Sequence, residues 1–257
     1  MSEPLLSACG LAVRFGSITA LDSVGAALWP GEVLAVVGES GSGKTTLLKV
    51  LSGRVRPEAG HVWYRAPDGE RTDVHAMPLP MLRRLHRSDW GFVEQDPRQA
   101  LRMDVSAGGN VGERLMAAGA RHYGHIRDEA ARWLAEVEID VARIDDKPAT
   151  FSGGMLQRLQ IARTLVTQPR LVFMDEPTGG LDVSVQARLL DLIRTLVRRL
   201  GIAVVLVTHD LAVARLLAAR IMVMQRGQVV EDGLTDQVLD DPRHPYTQLL
   251  VSSVLAA

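Results

Sequence analysis

The chain has a single cysteine, Cys9, among 257 residues. That excludes a disulfide framework, suits a reducing compartment, and means the chain cannot ligate an iron–sulfur cluster alone. No apolar run approaches the ~20 residues needed to span a bilayer, so no transmembrane segment of its own is expected. Charge of one sign is also missing. With 29 Lys and Arg against 30 Asp and Glu, the net charge of −1 gives no global electrostatic case for nucleic acid or an anionic membrane as partner. The basic clusters Arg83-Arg84…Arg87 and Arg198-Arg199 fall on expected helices and read as solvated faces. The first ten residues, MSEPLLSACG, lack the charged start and apolar core of a signal peptide. There is no internal repeat and no low-complexity segment. These absences lead to the expectation of a soluble cytoplasmic protein.

What is present is led by Gly38-Glu39-Ser40-Gly41-Ser42-Gly43-Lys44-Thr45, which fits the phosphate-binding pattern G-x-x-x-x-G-K-[ST]. An apolar strand, Val33-Leu34-Ala35-Val36-Val37, runs into it, and Thr46-Leu47-Leu48-Lys49-Val50-Leu51 leaves it with helical character. That is the strand–loop–helix context the pattern requires. Glycines let backbone N–H groups turn inward around phosphate oxygens, and the helix N-terminus adds partial positive charge. Lys44 is expected to reach the β- and γ-phosphates and the Thr45 hydroxyl to ligate Mg²⁺. With Thr46 beside them, these residues form the expected contacts to a nucleoside triphosphate.

The rest of the chain reads as α/β, short apolar runs alternating with amphipathic stretches. Residues 4–37 suggest antiparallel strands broken at Gly16 and Pro30-Gly31, and Gly60–Tyr64 another strand before an Asp68-Gly69 turn. Ser88–Gln95 reads as a strand ending at a glutamine. From about 96 to 165 the texture is helical, notably at Asp128–Val137. Leu171-Val172-Phe173-Met174 and Ile202–Val207 are continuously apolar, as buried parallel strands are. Between them Val185, Leu189, Leu192 and Leu196 fall at helical spacing. Leu211–Ala219 is expected to be a helix, Arg226-Gly227 the turn of a hairpin, and the tail beyond Asp240 a short apolar helix after Pro242 and Pro245.

Several polar residues close these apolar runs. Asp175 and Glu176 end the 171–174 strand, at the sheet edge where open α/β folds bind ligands. Asp175 is expected to hold Mg²⁺ through water and Glu176 to polarise an attacking water. Gln95 is placed to ligate or sense the metal, and His209 to hydrogen-bond the γ-phosphate. Ser152-Gly153-Gly154 precedes a helix beginning near Met155, which makes it either a simple N-cap or a second anion site. A second such site in one chain suggests a second nucleotide contact, across a dimer.

In this order and over nearly the whole length, the motifs resemble those of ATP-binding-cassette ATPases. Gly38–Thr45 matches that family's Walker A, Gln95 its Q-loop glutamine, and Phe151-Ser152-Gly153-Gly154-Met155 its signature. Leu171–Glu176 matches the Walker B strand with its catalytic glutamate, Gly180-Leu181-Asp182 the D-loop, His209 the switch histidine, and Phe15 the aromatic that stacks on adenine. The resemblance implies a nucleotide-binding domain over 5–250, a P-loop core with an antiparallel β-subdomain and a helical subdomain near 96–165, then a tail over 240–257. It implies ATP hydrolysis by a head-to-tail self-dimer, or by a pair with a paralogous ABC protein. There Ser152, Gly153, Gly154 and Asp182 would meet the nucleotide held by the other copy. The signature departs from the family pattern at both ends, with Phe151 for Leu and Met155 for Gln.

Within the family, two stretches point in different directions. Asp241-Pro242-Arg243-His244-Pro245-Tyr246-Thr247 resembles the tail of oligopeptide and nickel importer ATPases. Ser106–Met116, Ala120–Gly124, Thr150–Met155 and Thr178–Arg188 resemble the ATP-binding subunits of carbon–phosphorus lyase systems, including both signature departures. The longer resemblance implies an ATPase coupled to the soluble carbon–phosphorus lyase core in organic phosphonate catabolism. The alternative is the nucleotide-binding subunit of an oligopeptide- or phosphonate-type importer. Gly108-Gly109, His122, Tyr123 and His125 are expected to shape a docking surface, the two histidines as surface residues rather than metal ligands.

Overall fold

The structure, a computed structural model, describes residues 3–255. It divides into two compact units, one formed by the chain up to Leu82 together with the chain from Gly201, the other by Arg83–Leu200. The first unit begins with β1 (Leu6–Phe15), β2 (Ile18–Leu28), β3 (Val33–Val37), α1 (Lys44–Leu51), β4 (Ala59–Arg65) and β5 (Arg71–Asp73). After α2 (Leu79–Ser88), the second unit holds β6 (Trp90–Val93), α3 (Ala107–Ala117), α4 (Tyr123–Glu136), α5 (Gly153–Leu165), β7 (Leu171–Asp175) and α6 (Val183–Leu200). The chain returns to the first unit with β8 (Ala203–Val207), α7 (Leu211–Leu217), β9 (Arg220–Gln225), β10 (Gln228–Leu234), α8 (Thr235–Asp240) and α9 (Pro245–Leu255).

In the first unit β2-β1-β4-β5 form an antiparallel sheet. A second sheet places β3 between β8 and β9, parallel to both, with β10 antiparallel at its edge. The burial pattern explains the difference. In β1 Leu6, Ala8, Leu11 and Val13 are buried while Cys9, Gly10 and Arg14 are exposed, the mark of a sheet with one wet face. Every residue of β8 and all but the first of β3 are buried, which requires that both faces of this sheet be covered. The β9–β10 hairpin turns at Arg226-Gly227, both with positive φ (49° and 81°), between paired Gln225 and Gln228. That is the two-residue turn whose twist suits a hairpin.

In the second unit β6 and β7 run parallel, and Phe92 stacks on Phe173 at 5.2 Å between ring centroids. The described residues from 96 to 165 contain helices and 3₁₀ turns and no strand. Helix α3 carries Gly108, Gly109 and Gly112, each worth about 1 kcal/mol less than alanine in a helix. Close approach accounts for them. A Cβ on Gly108 would stand 2.5 Å from Ile144, one on Gly109 2.6 Å from Val105, and one on Gly112 2.8 Å from Ile126. Arg114 of the same helix donates to the carbonyls of His86 and Trp90 at 2.8 and 3.2 Å. Burial and neighbouring Arg163 pull its pKa down to about 10 against the opposing pull of Glu113, so it stays a cation at neutral pH.

Several sequence expectations shift. The 88–95 strand is confined to Trp90–Val93, because α2 runs to Ser88 and Asp96 caps a 3₁₀ turn by accepting from Arg98 N–H. Gln95 therefore lies two residues beyond the strand rather than at its end. The helix expected over 211–219 stops at Leu217, since Ala218 is extended and Ala219 N–H bonds to Val33 O at 3.1 Å. In α6 it is Ile193 that is buried, with Leu192 only half-buried. The signature helix begins at Gly153, not Met155. Ala256 and Ala257 of the expected tail lie outside the described residues.

The tail is anchored on β10. Glu231 accepts the N–H groups of Arg243 and His244 at 2.9 and 3.0 Å, capping the entry to α9. Burial raises the Glu231 pKa, but those backbone bonds outweigh it and hold the carboxyl below the ordinary glutamate range. A carboxylate with a lowered folded-state pKa stabilises fully above its unfolded value and loses that contribution as pH falls through the folded one. The stability gap between wild type and Glu231→Gln in urea titrations is accordingly expected to narrow from about pH 6 to about pH 3. A gap constant with pH would contradict it.

Candidate nucleotide site

In the first unit the loop between β3 and α1 is shaped by two close approaches. Gly38 has φ +146°, and a Cβ there would lie 2.2 Å from Met224 O on β9. Gly43 has φ +105°, and a Cβ there would lie 2.4 Å from Ala20 O on β2. No side chain can occupy either position without moving backbone. Gly38→Ala is expected to destabilise the protein by about 2–4 kcal/mol, from strain and clash combined, measured by urea unfolding. Wild-type stability would show that β9 yields freely. Gly43 also forms the N-cap of α1, and no side chain caps that helix. The first turn thus offers its N–H groups and positive dipole end to the loop, as anion binding requires.

Lys44 is only 6% exposed. Its Nζ donates to Gly38 O and Glu39 O, both at 2.7 Å, with Ser42 Oγ at 3.4 Å. Gly227 N–H donates to Ser42 O at 2.9 Å, tying the loop to the hairpin turn. Glu39, Ser40 and Gly41 are exposed, while Thr45 and Thr46 of the first helical turn are half-buried. His209 follows β8 and is exposed between two local turns. Asp210 N–H donates to Thr208 Oγ1 at 3.0 Å, and Asp210 Oδ1 accepts from Ala212 N–H at 2.8 Å. Phe15 closes β1 with 53% of its surface exposed, which leaves a large ring face open to solvent.

The second unit carries the sequence-expected acidic residues. Asp175 ends buried β7, and Glu176 follows with φ +43°, a left-handed conformation that costs a non-glycine residue about 1–2 kcal/mol. Two bonds hold the turn: Gly179 N–H to Glu176 O at 3.0 Å, and Gln157 Nε2 to Pro177 O at 2.8 Å. Gln95 Nε2 stands 3.5 Å from Glu176 Oε2, at the outer limit of a hydrogen bond. The sequence-expected Gln95, Asp175 and Glu176 are therefore brought together.

Ser152 caps α5, its exposed Oγ accepting from Met155 N–H at 3.4 Å. Both readings of Ser152-Gly153-Gly154 thus share one geometry, because the capped end of a helix is also an anion-favouring end. Gly154 is required by packing, since a Cβ would lie 2.6 Å from Val185 in the first turn of α6. That turn follows directly on Gly180-Leu181-Asp182. At Gly153 a Cβ would meet Leu181 at an ordinary 3.6 Å.

Four residues escaped the sequence reading. Gln157, Gln160 and Thr164 lie on one face of α5 and are buried. They donate to Pro177 O at 2.8 Å, Glu94 O at 3.3 Å and Phe92 O at 2.8 Å, so one helix supports both the glutamate turn and the approach to Gln95. Polar residues at helical spacing in an otherwise apolar stretch were the available signal. The fourth is Arg143. Its guanidinium lies 4.5 Å from the Phe151 ring centroid, Nη1 is 3.3 Å from Met155 Sδ, and Nε donates to Asp146 Oδ2 at 2.7 Å. One fixed cation therefore engages both residues at which the signature departs from its family pattern.

The candidate metal donors are a hydroxyl (Thr45), a carboxylate (Asp175) and an amide oxygen (Gln95). Hard oxygen donors in small number fit Mg²⁺, which keeps several waters and shares phosphate oxygens with its substrate. His122 instead serves the backbone, its Nδ1 accepting His125 N–H at 3.2 Å as the N-cap of α4.

The ABC transporter family model matches residues 21–179. The chain belongs to the ABC transporter family of ATPases. Among curated relatives it is 64% identical, over 99% of both chains, to PhnK of Escherichia coli K12, an ATP-binding protein named for phosphonates utilization. It is 38% identical to the dipeptide transport ATP-binding protein DppF of the same organism, over 92% of this chain and 69% of DppF. Among solved structures, a dimeric ATP-binding cassette in a post-hydrolysis state with ADP and Pi superposes with a TM-score of 0.79 at 29% identity, covering 90% of this chain and 98% of that one. CbiO1 from Clostridium perfringens, part of an ABC transporter complex, superposes with a TM-score of 0.80 at 26% identity, covering 93% and 92%. The ABC cassette fold and the activity, ATP hydrolysis, follow from these relations. No described helix is long and apolar enough to cross a membrane.

Proposed function

We propose that this ABC ATPase serves organic phosphonate utilization in the cytoplasm, where it couples ATP turnover to a soluble carbon–phosphorus lyase core. The observation that carries this is the end-to-end identity of 64% with PhnK, against 38% with the dipeptide transport protein. The α3–α4 region supports a docking role there. It encloses a cavity of about 300 Å³ lined by Gly108, Gly109, Gly112, Met116, Tyr123 and Ile126, with Met116 and Tyr123 largely exposed.

In the mechanism, Gly38–Thr46 hold the triphosphate, with Lys44 moving from its loop carbonyls to the β- and γ-phosphates. Phe15 stacks on the base. Glu176 orients and polarises the water that attacks the γ-phosphate in line, and His209 stabilises the charge gathering on that phosphate. Thr45, Asp175 and Gln95 would hold Mg²⁺, which supplies charge neutralisation at the phosphate oxygens. Two copies close head to tail, so that Ser152, Gly153, Gly154 and Asp182 of one complete the nucleotide site of the other.

A second reading, an importer subunit, is favoured by the Asp241–Thr247 tail and the relation to the dipeptide transport protein. One experiment separates the two. Tagged Glu176→Gln protein is purified with ATP from its native cells grown on phosphonate, and co-eluting chains are identified by mass spectrometry. Soluble lyase-core subunits are the expected result; integral membrane permeases would replace it with the importer reading.

A further inference from the structure

The tail reaches back to the phosphate loop. Tyr246, on the first turn of α9, is 6% exposed, and its Oη accepts the N–H of Glu39 at 3.0 Å across 207 residues of sequence. The same peptide unit points its other end at the lysine: Gly38 O, on the far side of that C–N bond, accepts Lys44 Nζ at 2.7 Å. Because a peptide unit is planar, fixing its N–H fixes the direction of its C=O. Gly38 permits rotation there that other residues would resist, since its φ of +146° lies where a glycine has neighbouring conformations open to it.

We propose that Tyr246 is a positioning residue for ATP binding, its hydroxyl orienting the Gly38–Glu39 peptide and thereby the resting place of Lys44. The rest of the tail keeps the phenol in place. Glu231 on β10 caps Arg243 and His244, Tyr246 N–H donates to His244 Nδ1 at 3.2 Å, and Gln248 Nε2 donates to Pro242 O at 2.9 Å. Helix α9 is thus held from β10 and from its own first turn, and presents one polar atom to the loop. A tyrosine serving only to fill space would use its ring, which phenylalanine shares. The hydroxyl is what reaches the loop. This inference rests on ATP binding at the Gly38–Thr45 loop and is independent of the phosphonate reading.

The test is Y246F in the full chain, which keeps the buried ring and removes the one oxygen. Titration with MgATP and steady-state hydrolysis are compared with wild type, alongside urea unfolding without nucleotide. The expected result is a rise of about three- to tenfold in both the ATP Kd and KM, the scale of one lost hydrogen bond to a partly buried N–H, with kcat within about twofold. Wild-type Kd and KM in Y246F, whatever the change in urea midpoint, would overturn the proposal and leave Tyr246 as packing. A wild-type chain that bound no MgATP would instead overturn the loop assignment on which the proposal rests. Should Y246F unfold, Glu231→Gln loosens the same tail without touching the ring, and unchanged ATP affinity in that variant would overturn the proposal equally.

Discussion

Glu176→Gln is expected to cut phosphate release at least about a hundredfold while leaving ATP affinity within about twofold of wild type. The substitution keeps the volume and the contact with Gln95, whose Nε2 stands 3.5 Å from Glu176 Oε2, but removes the negative charge that the proposed mechanism uses to polarise water. The strained φ of +43° at this position is held by the bonds of Gly179 and Gln157 to its turn, so glutamine should inherit the same backbone. In the proposed head-to-tail pair, loss of hydrolysis prevents reopening, so size-exclusion chromatography with MgATP should show a dimer that wild type forms only transiently. Undiminished turnover would remove Glu176 from the role of base and direct the search to another carboxylate.

The second large effect is expected at Lys44. Lys44→Ala should weaken ATP binding by about ten- to hundredfold, the scale of one charge-assisted hydrogen bond to phosphate. The structure adds a second reason. Lys44 Nζ donates to Gly38 O and Glu39 O, so its loss also leaves two loop carbonyls without the cation that holds them. Lys44→Arg keeps the charge but not the compact fit at a site only 6% exposed, and should recover little of the affinity. Calorimetric titration measures both. Wild-type affinity in Lys44→Ala would count against the loop as the phosphate site.

Local chemistry in the sequence was enough for much of this protein. A glycine-rich loop between an apolar strand and a helix announces itself because phosphate binding needs small residues, N–H groups and one cation in consecutive positions. The buried strands Leu171–Asp175 and Ala203–Val207 were legible because a parallel strand covered on both faces must be continuously apolar, whereas Val33–Val37, expected within a run of antiparallel strands, is parallel to both of its neighbours. The Arg226-Gly227 hairpin was legible from its two-residue turn.

What escaped depends on contacts between residues distant in sequence. Gly108-Gly109 were expected to shape a docking surface, while the close packing of Ile144 on Gly108 and of Val105 on Gly109 is visible only in the structure. Met155 looked like the loss of a polar group until Arg143 was found against its sulfur and over the Phe151 ring. Tyr246 belonged to a tail motif with no visible link to Glu39. The sequence by itself determined which residues can bind phosphate, carry charge or cross the core, since these are properties of residue type and spacing. Only the tertiary structure decided which side chains hold that machinery in place, because a hydrogen bond across 207 residues leaves no periodicity along the chain.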